Sequence, residues 1–209
     1  MNAGSVRLQK KNKNLLELIV SDSSLALYNR SYVLPKEIYL LCKHFAFKSY
    51  ATNEDCYSRR GQSDSTKVIN DITIGKLAEW GVFFMYLQEG KHNISSPDMN
   101  IYSVRQKSYD PDLKWGLYRL HIKSQTLESS ERYGSSWMFQ AKDPLFAKSD
   151  DCDIIIGCRV GLNVLEDDSC LVEIQLEKPF NQLVIGEPKL SKFSNGKKAI
   201  YLKDNNEEG

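Results

Sequence analysis

The stretch Asn100–Gln125, NIYSVRQKSYDPDLKWGLYRLHIKSQ, decides how the rest of the chain is read, because it joins strand-like alternation to a tight set of phosphate-seeking and metal-seeking side chains. Its first run, Ile101-Tyr102-Ser103-Val104, is rich in β-formers. Ser108-Tyr109-Asp110-Pro111-Asp112 then supplies turn chemistry around a proline that a central strand excludes. From Leu117 the residues alternate, with Leu117, Arg119, His121, Lys123 and Gln125 on one face and Tyr118, Leu120, Ile122 and Ser124 on the other. The spacing predicts a hairpin on which His121, Lys123 and Gln125 point the same way and Asp112 lies near the same edge. A carboxylate held close to an ammonium suits phosphodiester hydrolysis. The acid holds a divalent cation, and cation and ammonium together activate water and offset the charge that builds on the phosphate.

Upstream, Asn70 or Asp71 is placed to cap a helix running through ITIGKLAEWGVFFMYLQEG and ending near Gly90. Ile74, Leu77, Ala78, Gly81, Val82 and Met85 form one apolar stripe that must pack on a sheet, and Gly75 and Gly81 allow close backbone approach. Glu79 falls one residue off the stripe, at its border, where a carboxylate can reach a neighbouring sheet edge.

Taken together, a helix bearing Glu79, Pro111-Asp112 at the start of a hairpin and His121-Ile122-Lys123 on the next strand resemble the PD-(D/E)xK nuclease superfamily, the fold of many type II restriction enzymes and archaeal Holliday-junction resolvases. The resemblance covers about Asp71 to Asp153. It implies an α/β protein with a restriction-endonuclease-like mixed central sheet flanked by helices, and a magnesium ion, replaceable by manganese, on Asp112 and Glu79. It further implies Lys123 orienting the attacking water, DNA as substrate, products with a 5′ phosphate, and a homodimer. The family carries Asp or Glu where this chain has His121. The second carboxylate then comes from Glu79, or His121 itself ligates or hydrogen-bonds, while Gln125 orients a water or phosphate oxygen. Pro97-Asp98 spells the same dipeptide farther from the strand. Asp98 is read there as capping a turn, and Asp110 as a nearer competitor of Asp112.

The remaining chain sets bounds. Its 209 residues suit one domain over residues 14–204, with a catalytic core over about 71–160, a basic arm over 1–13 (Arg7, Lys10, Lys11, Lys13) and a frayed tail over 205–209. With 28 basic and 27 acidic residues there is no general basic excess, so contact with DNA would rest on local features. The candidates are Arg59 and Arg60, adjacent before the central helix, with Gln62 and Gln140, aimed at backbone or base edges. Five cysteines without a Cys-x-x-Cys pair argue against structural zinc and for a reducing cytoplasm, and no apolar run or leader reads as a membrane segment.

Further elements are a short helix from Asn14 to about Ser21 and a second helix opening at Pro35. Thr52–Lys67 reads as a helix end followed by a loop, and TLESSERYGSS as a polar connection. In WMFQ, Trp137 and Phe139 alternate with Met138 and Gln140: the aromatics should pack inward, and the run reads as a strand beside the active site with Gln140 facing the ligand. Asp153 to Val160 reads as a central strand, with Cys158 in the core, followed by a hairpin turning at Asp167-Asp168. A final basic cluster, Lys189, Lys192, Lys197 and Lys198, surrounds a Ser-Asn-Gly turn. Two alternatives accompany the nuclease reading: a non-catalytic nucleic-acid-binding module with an eroded site, and a DNA-junction resolvase.

Overall fold

In the computed structural model the described residues are 30–59, 61–103, 110–162, 169–190 and 196–205. The basic arm, the helix expected from Asn14, Arg60, the Asp167-Asp168 turn, Lys192 and residues 206–209 lie outside them.

Two long helices follow a short first strand, β1 (Ser31–Leu34). Helix α1 (Lys36–Arg59) opens with Pro35 accepting from the N–H of Ile38, as the proline predicts, and departs from helical geometry at Asn53. There the Asn53 amide donates to Ser49 O (3.0 Å) and Tyr102 O (2.9 Å), so the kink ties the helix to the loop before the hairpin. Helix α2 (Ser65–Gln88) begins earlier than expected. Asp64, not Asn70 or Asp71, is its cap, accepting from the Lys67 N–H at 3.0 Å, while Asp71 pairs with the Lys67 ammonium at 2.6 Å. The expected stripe is buried, but so is every residue from Leu77 to Tyr86, because α1 packs on the side away from the sheet. α2 is therefore a central helix rather than an amphipathic one.

The sheet beneath is mixed, in the order β1-β6-β5-β3-β2, built from β2 (Leu113–Trp115), β3 (Tyr118–Thr126), β5 (Asp153–Leu162) and β6 (Cys170–Pro179). β3 and β5 run parallel, pairing His121 with Ile155 and Lys123 with Gly157; every other pair is antiparallel. As its apolar run predicts, β5 is central, with Cys158 fully buried and its thiol pKa raised by burial. The hairpin is shorter than the sequence indicates. Its first strand is Leu113–Trp115, not Ile101–Val104, whose described residues are not strand, and Leu117 sits in the turn after Gly116.

One face of this sheet packs against α2, which α1 covers in turn. The other carries a three-stranded antiparallel sheet, β4-β8-β7, of β4 (Ser136–Gln140), β7 (Ile185–Gly186) and β8 (Lys197–Tyr201). Helix α3 (Leu127–Tyr133) joins that side, as does α4 (Leu145–Lys148), while α5 (Leu202–Asn205) follows β8. The architecture is thus α/β with a mixed sheet and flanking helices, but a small sheet takes much of the second face. Trp137 and Phe139 form the core between the two sheets with Ile155, Leu176 and Ile200, as the alternation of WMFQ predicts, and Gln140 is exposed. Helix α3 arises inside the polar TLESSERY stretch because Thr126 caps it, accepting from the Ser129 N–H at 3.1 Å, and Gly134 with positive φ ends it. All five cysteines are free thiols, and no helix among the described residues is long and apolar enough to cross a membrane.

Candidate active site

The β2–β3 ladder ends at Leu113 opposite Leu120. The next edge N–H on β3, that of Ile122, donates instead to the Asp112 carboxylate at 2.7 Å. Asp112 is thereby fixed against the backbone between His121 and Lys123, since a short charge-assisted bond holds a carboxylate in one orientation. Across from it, α2 brings in Glu79. Both line a cavity of about 360 Å³ between α1, α2 and the loop before β2, together with Asp98, Asp110 and Lys76. The sequence pairing of Glu79 with Asp112 therefore corresponds to one shared cavity. Asp98 does cap a turn, accepting from the Asn100 N–H at 2.9 Å and the Tyr102 hydroxyl at 2.7 Å.

Glu79, expected at the border of the stripe within reach of a sheet edge rather than open water, is buried. Its side chain is 9% exposed and paired with the Lys76 ammonium at 2.7 Å. Burial pushes its pKa up to about 8 against the pull of Lys76, and the Asp112 and Asp98 carboxylates push it further. A carboxyl whose pKa in the fold lies above its unfolded value costs stability as pH rises from the ordinary carboxylate range to about 8. Glu79→Gln should therefore stabilise the protein by about 2 kcal/mol at pH 8 and leave it unchanged near pH 4. Thermal unfolding at the two pH values checks this; an equal shift at both would contradict it.

The other motif residues lie on the opposite face of β3. Ile122 packs towards the helical core, whereas Lys123 places its ammonium 4.7 Å from the centre of the Phe139 ring, in the inter-sheet layer. It lines a separate recess of about 620 Å³ with Lys67, Ser124 and Tyr133. His121 is bound to Asp153, Nε2 to Oδ1 at 2.9 Å, and does not line the acidic cavity. Gln125 accepts from the Ser136 N–H at 2.9 Å and donates to Gly134 O at 3.2 Å, so it fastens the end of β3 to the α3–β4 turn. His121, Lys123 and Gln125 do share a face, as their parity predicts, but it is the face away from Glu79.

Asp153 is a residue that the sequence reading passed over. It is buried at the start of β5 and takes a bidentate pair from Arg119 (2.7 and 2.8 Å) and the Asp150 N–H at 2.9 Å. Arg119, then His121, holds its carboxyl well below the usual carboxylate range against the opposing effect of burial. Such a group adds stability above the unfolded pKa and loses it as pH falls towards the folded one. Asp153→Asn should cost about 1–2 kcal/mol at pH 7, by removing the bidentate partner of the Arg119 guanidinium, which keeps its pair with Asp150 at 2.6 Å, and should flatten the acid limb of the stability profile. Urea unfolding from pH 7 down to pH 2 measures both effects, since the loss sets in below the ordinary carboxylate pKa; an unaltered acid limb would count against the network. The only sequence signal was the acid at the head of an apolar strand, paired through the sheet with a basic residue two positions before His121.

Of the DNA-contact candidates, Arg59 bonds within its own helix, to Asp55 O and Cys56 Sγ, both at 3.1 Å. It lines a recess that shares Asn53 and Cys56 with the acidic cavity. Gln62 is exposed in the α1–α2 connection, and Gln140 is exposed on the small sheet.

Among the described residues no three His, Cys, Asp or Glu side chains form a group that would cage a metal ion. Magnesium does not require one, since it binds through one or two carboxylates and completes its shell with water and substrate phosphate. Glu79 and Asp112, which share the cavity with Asp98 and Asp110, are donors of the type such an ion takes. No family model, curated protein or solved structure matches this chain.

Proposed function

We propose that the protein is a magnesium-dependent DNA endonuclease of the PD-(D/E)xK type, site-specific in the manner of a type II restriction or phage enzyme, with its chemistry in the Glu79–Asp112 cavity. The observation that carries this reading is the Asp112 carboxylate anchored on the Ile122 N–H, between His121 and Lys123, and sharing a cavity with Glu79. In this reading Asp112 and Glu79 hold magnesium, for which manganese substitutes. Bound there, the ion would polarise the scissile phosphate and lower the pKa of a bound water. The Ile122 N–H keeps Asp112 aimed, and the Lys76 ammonium opposes part of the effect of burial on the Glu79 carboxyl. Lys123 and Arg59 would meet the DNA backbone outside the cavity, and a second copy of the chain would complete the contact with duplex DNA.

A second reading, a nucleic-acid-binding module with an eroded site, draws on His121, which replaces the family's acid and is committed to Asp153. Incubating the protein with supercoiled and linear plasmid DNA, with magnesium or a chelator, separates the two. The nuclease reading expects discrete fragments that require the metal. DNA retained in a gel shift but left intact on every substrate would favour the binding module.

A further inference from the structure

The acidic cavity holds an ammonium, and it is not the one supplied by the hairpin motif. Among the described residues lining it, Lys76 is the sole lysine or arginine, set against Glu79, Asp98, Asp110 and Asp112. Its Nζ donates to Glu79 Oε2 at 2.7 Å and lies 5.0 Å from the centre of the Phe45 ring, so α2 and α1 hold it from two sides. At 16% side-chain exposure it differs from a solvated surface lysine, whose charge water would screen. An ammonium carries three N–H donors, and the bond to Glu79 engages one. Lys123 faces Phe139 across the sheet and does not line this cavity.

We propose that Lys76 is the catalytic ammonium of the cavity, meeting a non-bridging oxygen of the substrate phosphodiester in the place that the hairpin motif gives to Lys123; this rests on the hydrolytic reading above. In that hydrolysis the water oxygen bonds to phosphorus, the P–O3′ bond breaks, and one water proton ends on the departing 3′ hydroxyl, leaving a 5′ phosphate. The Lys76 charge opposes the negative charge that builds on the phosphate oxygens between those two events. Its short tether from the same helix as Glu79 lets one rigid element present both the cation-holding carboxylate and the phosphate-facing ammonium.

The test compares Lys76→Met, Lys76→Gln and Lys123→Met in the full chain, with two readouts: plasmid cleavage in magnesium, and manganese affinity without DNA by calorimetry. Loss of the Lys76 charge should slow cleavage on the order of a hundredfold. Manganese should bind these variants within a few-fold of wild type, because the lost repulsion between ammonium and cation offsets the greater proton affinity that Glu79 gains without Lys76. Lys76→Gln keeps a hydrogen-bonding group beside Glu79, so it carries the test if the methionine variant loses its fold by circular dichroism. Lys123→Met should lose far less, by its outer backbone contact alone: weaker DNA binding with the cleavage rate at saturating DNA reduced at most on the order of tenfold. Wild-type rates in the folded Lys76 variants would overturn the proposal. So would manganese binding lost in step with cleavage, which would make Lys76 a prop for Glu79, or the large loss appearing in Lys123→Met instead. Absence of cleavage by the wild-type protein would remove the hydrolytic reading first, and this proposal with it.

Discussion

Gly81→Ala should destabilise the protein by about 3 kcal/mol, a fall of about 10 °C in Tm for a chain of this size. Gly81 lies in the buried middle of α2, where that helix crosses β6. A Cβ placed there would stand 2.5 Å from both Cβ and Cγ1 of Val172, which is itself fully buried. Neither side can yield cheaply: one contact partner is helix backbone and the other a short β-branched side chain in a central position of the sheet. The helix propensity gained in replacing glycine, about 1 kcal/mol, offsets only part of this. Gly81→Ala combined with Val172→Ala should cost less than the two separate effects predict but stay below wild type, because alanine removes Cγ1 and Cγ2 of Val172 and leaves space there, yet keeps the Cβ at 2.5 Å. Thermal unfolding of the two single variants and the double variant measures the coupling. A Gly81→Ala protein melting within a few degrees of wild type would show that α2 does not approach β6 so closely.

Asp112→Ala should reduce magnesium-dependent DNA cleavage by at least a thousandfold while leaving DNA binding within a few-fold. The change removes one of two carboxylates assigned to the cation, and with it the interaction that exists only when charge develops on the phosphate. It should cost little stability, because the Ile122 N–H it abandons lies at an open sheet edge that water can reach. Cleavage rates and gel-shift affinity measured on the same preparation check the split. Parallel losses of cleavage and binding would mean that Asp112 shapes the DNA-contacting surface rather than the chemistry.

Much of the fold was legible because it depends on periodicity. The α2 stripe from Ile74 to Met85, the β5 run from Asp153 and the inward packing of Trp137 and Phe139 all follow from residue spacing, and the structure bears them out, whereas Gln140, read as facing the ligand, does not line the acidic cavity. Elements embedded in polar sequence were not legible in this way. Strand β2 occupies Leu113-Lys114-Trp115, too short to show alternation; α3 hides in TLESSERY, where the signal was the Thr126 cap; β8 runs through a lysine cluster. The burial of Glu79 was out of reach for a different reason. The spacing of apolar residues along one helix cannot register that α1 and the loop carrying Asp98 and Asp112 close over its outer side. Strand parity likewise groups His121, Lys123 and Gln125 correctly but cannot say which face of β3 meets the glutamate helix. That choice is made by Leu120 and Ile122, whose apolar side chains go to the helical core and send the polar set towards Phe139 and the small sheet.

The central claim is that Glu79 and Asp112 together form a cation site for hydrolytic chemistry. Manganese binding to the DNA-free protein, measured by calorimetry for wild type, Glu79→Gln and Asp112→Ala, tests it most directly. The account predicts a binding event in the wild-type protein that weakens at least tenfold in each variant. Equal manganese affinity in all three proteins would contradict it.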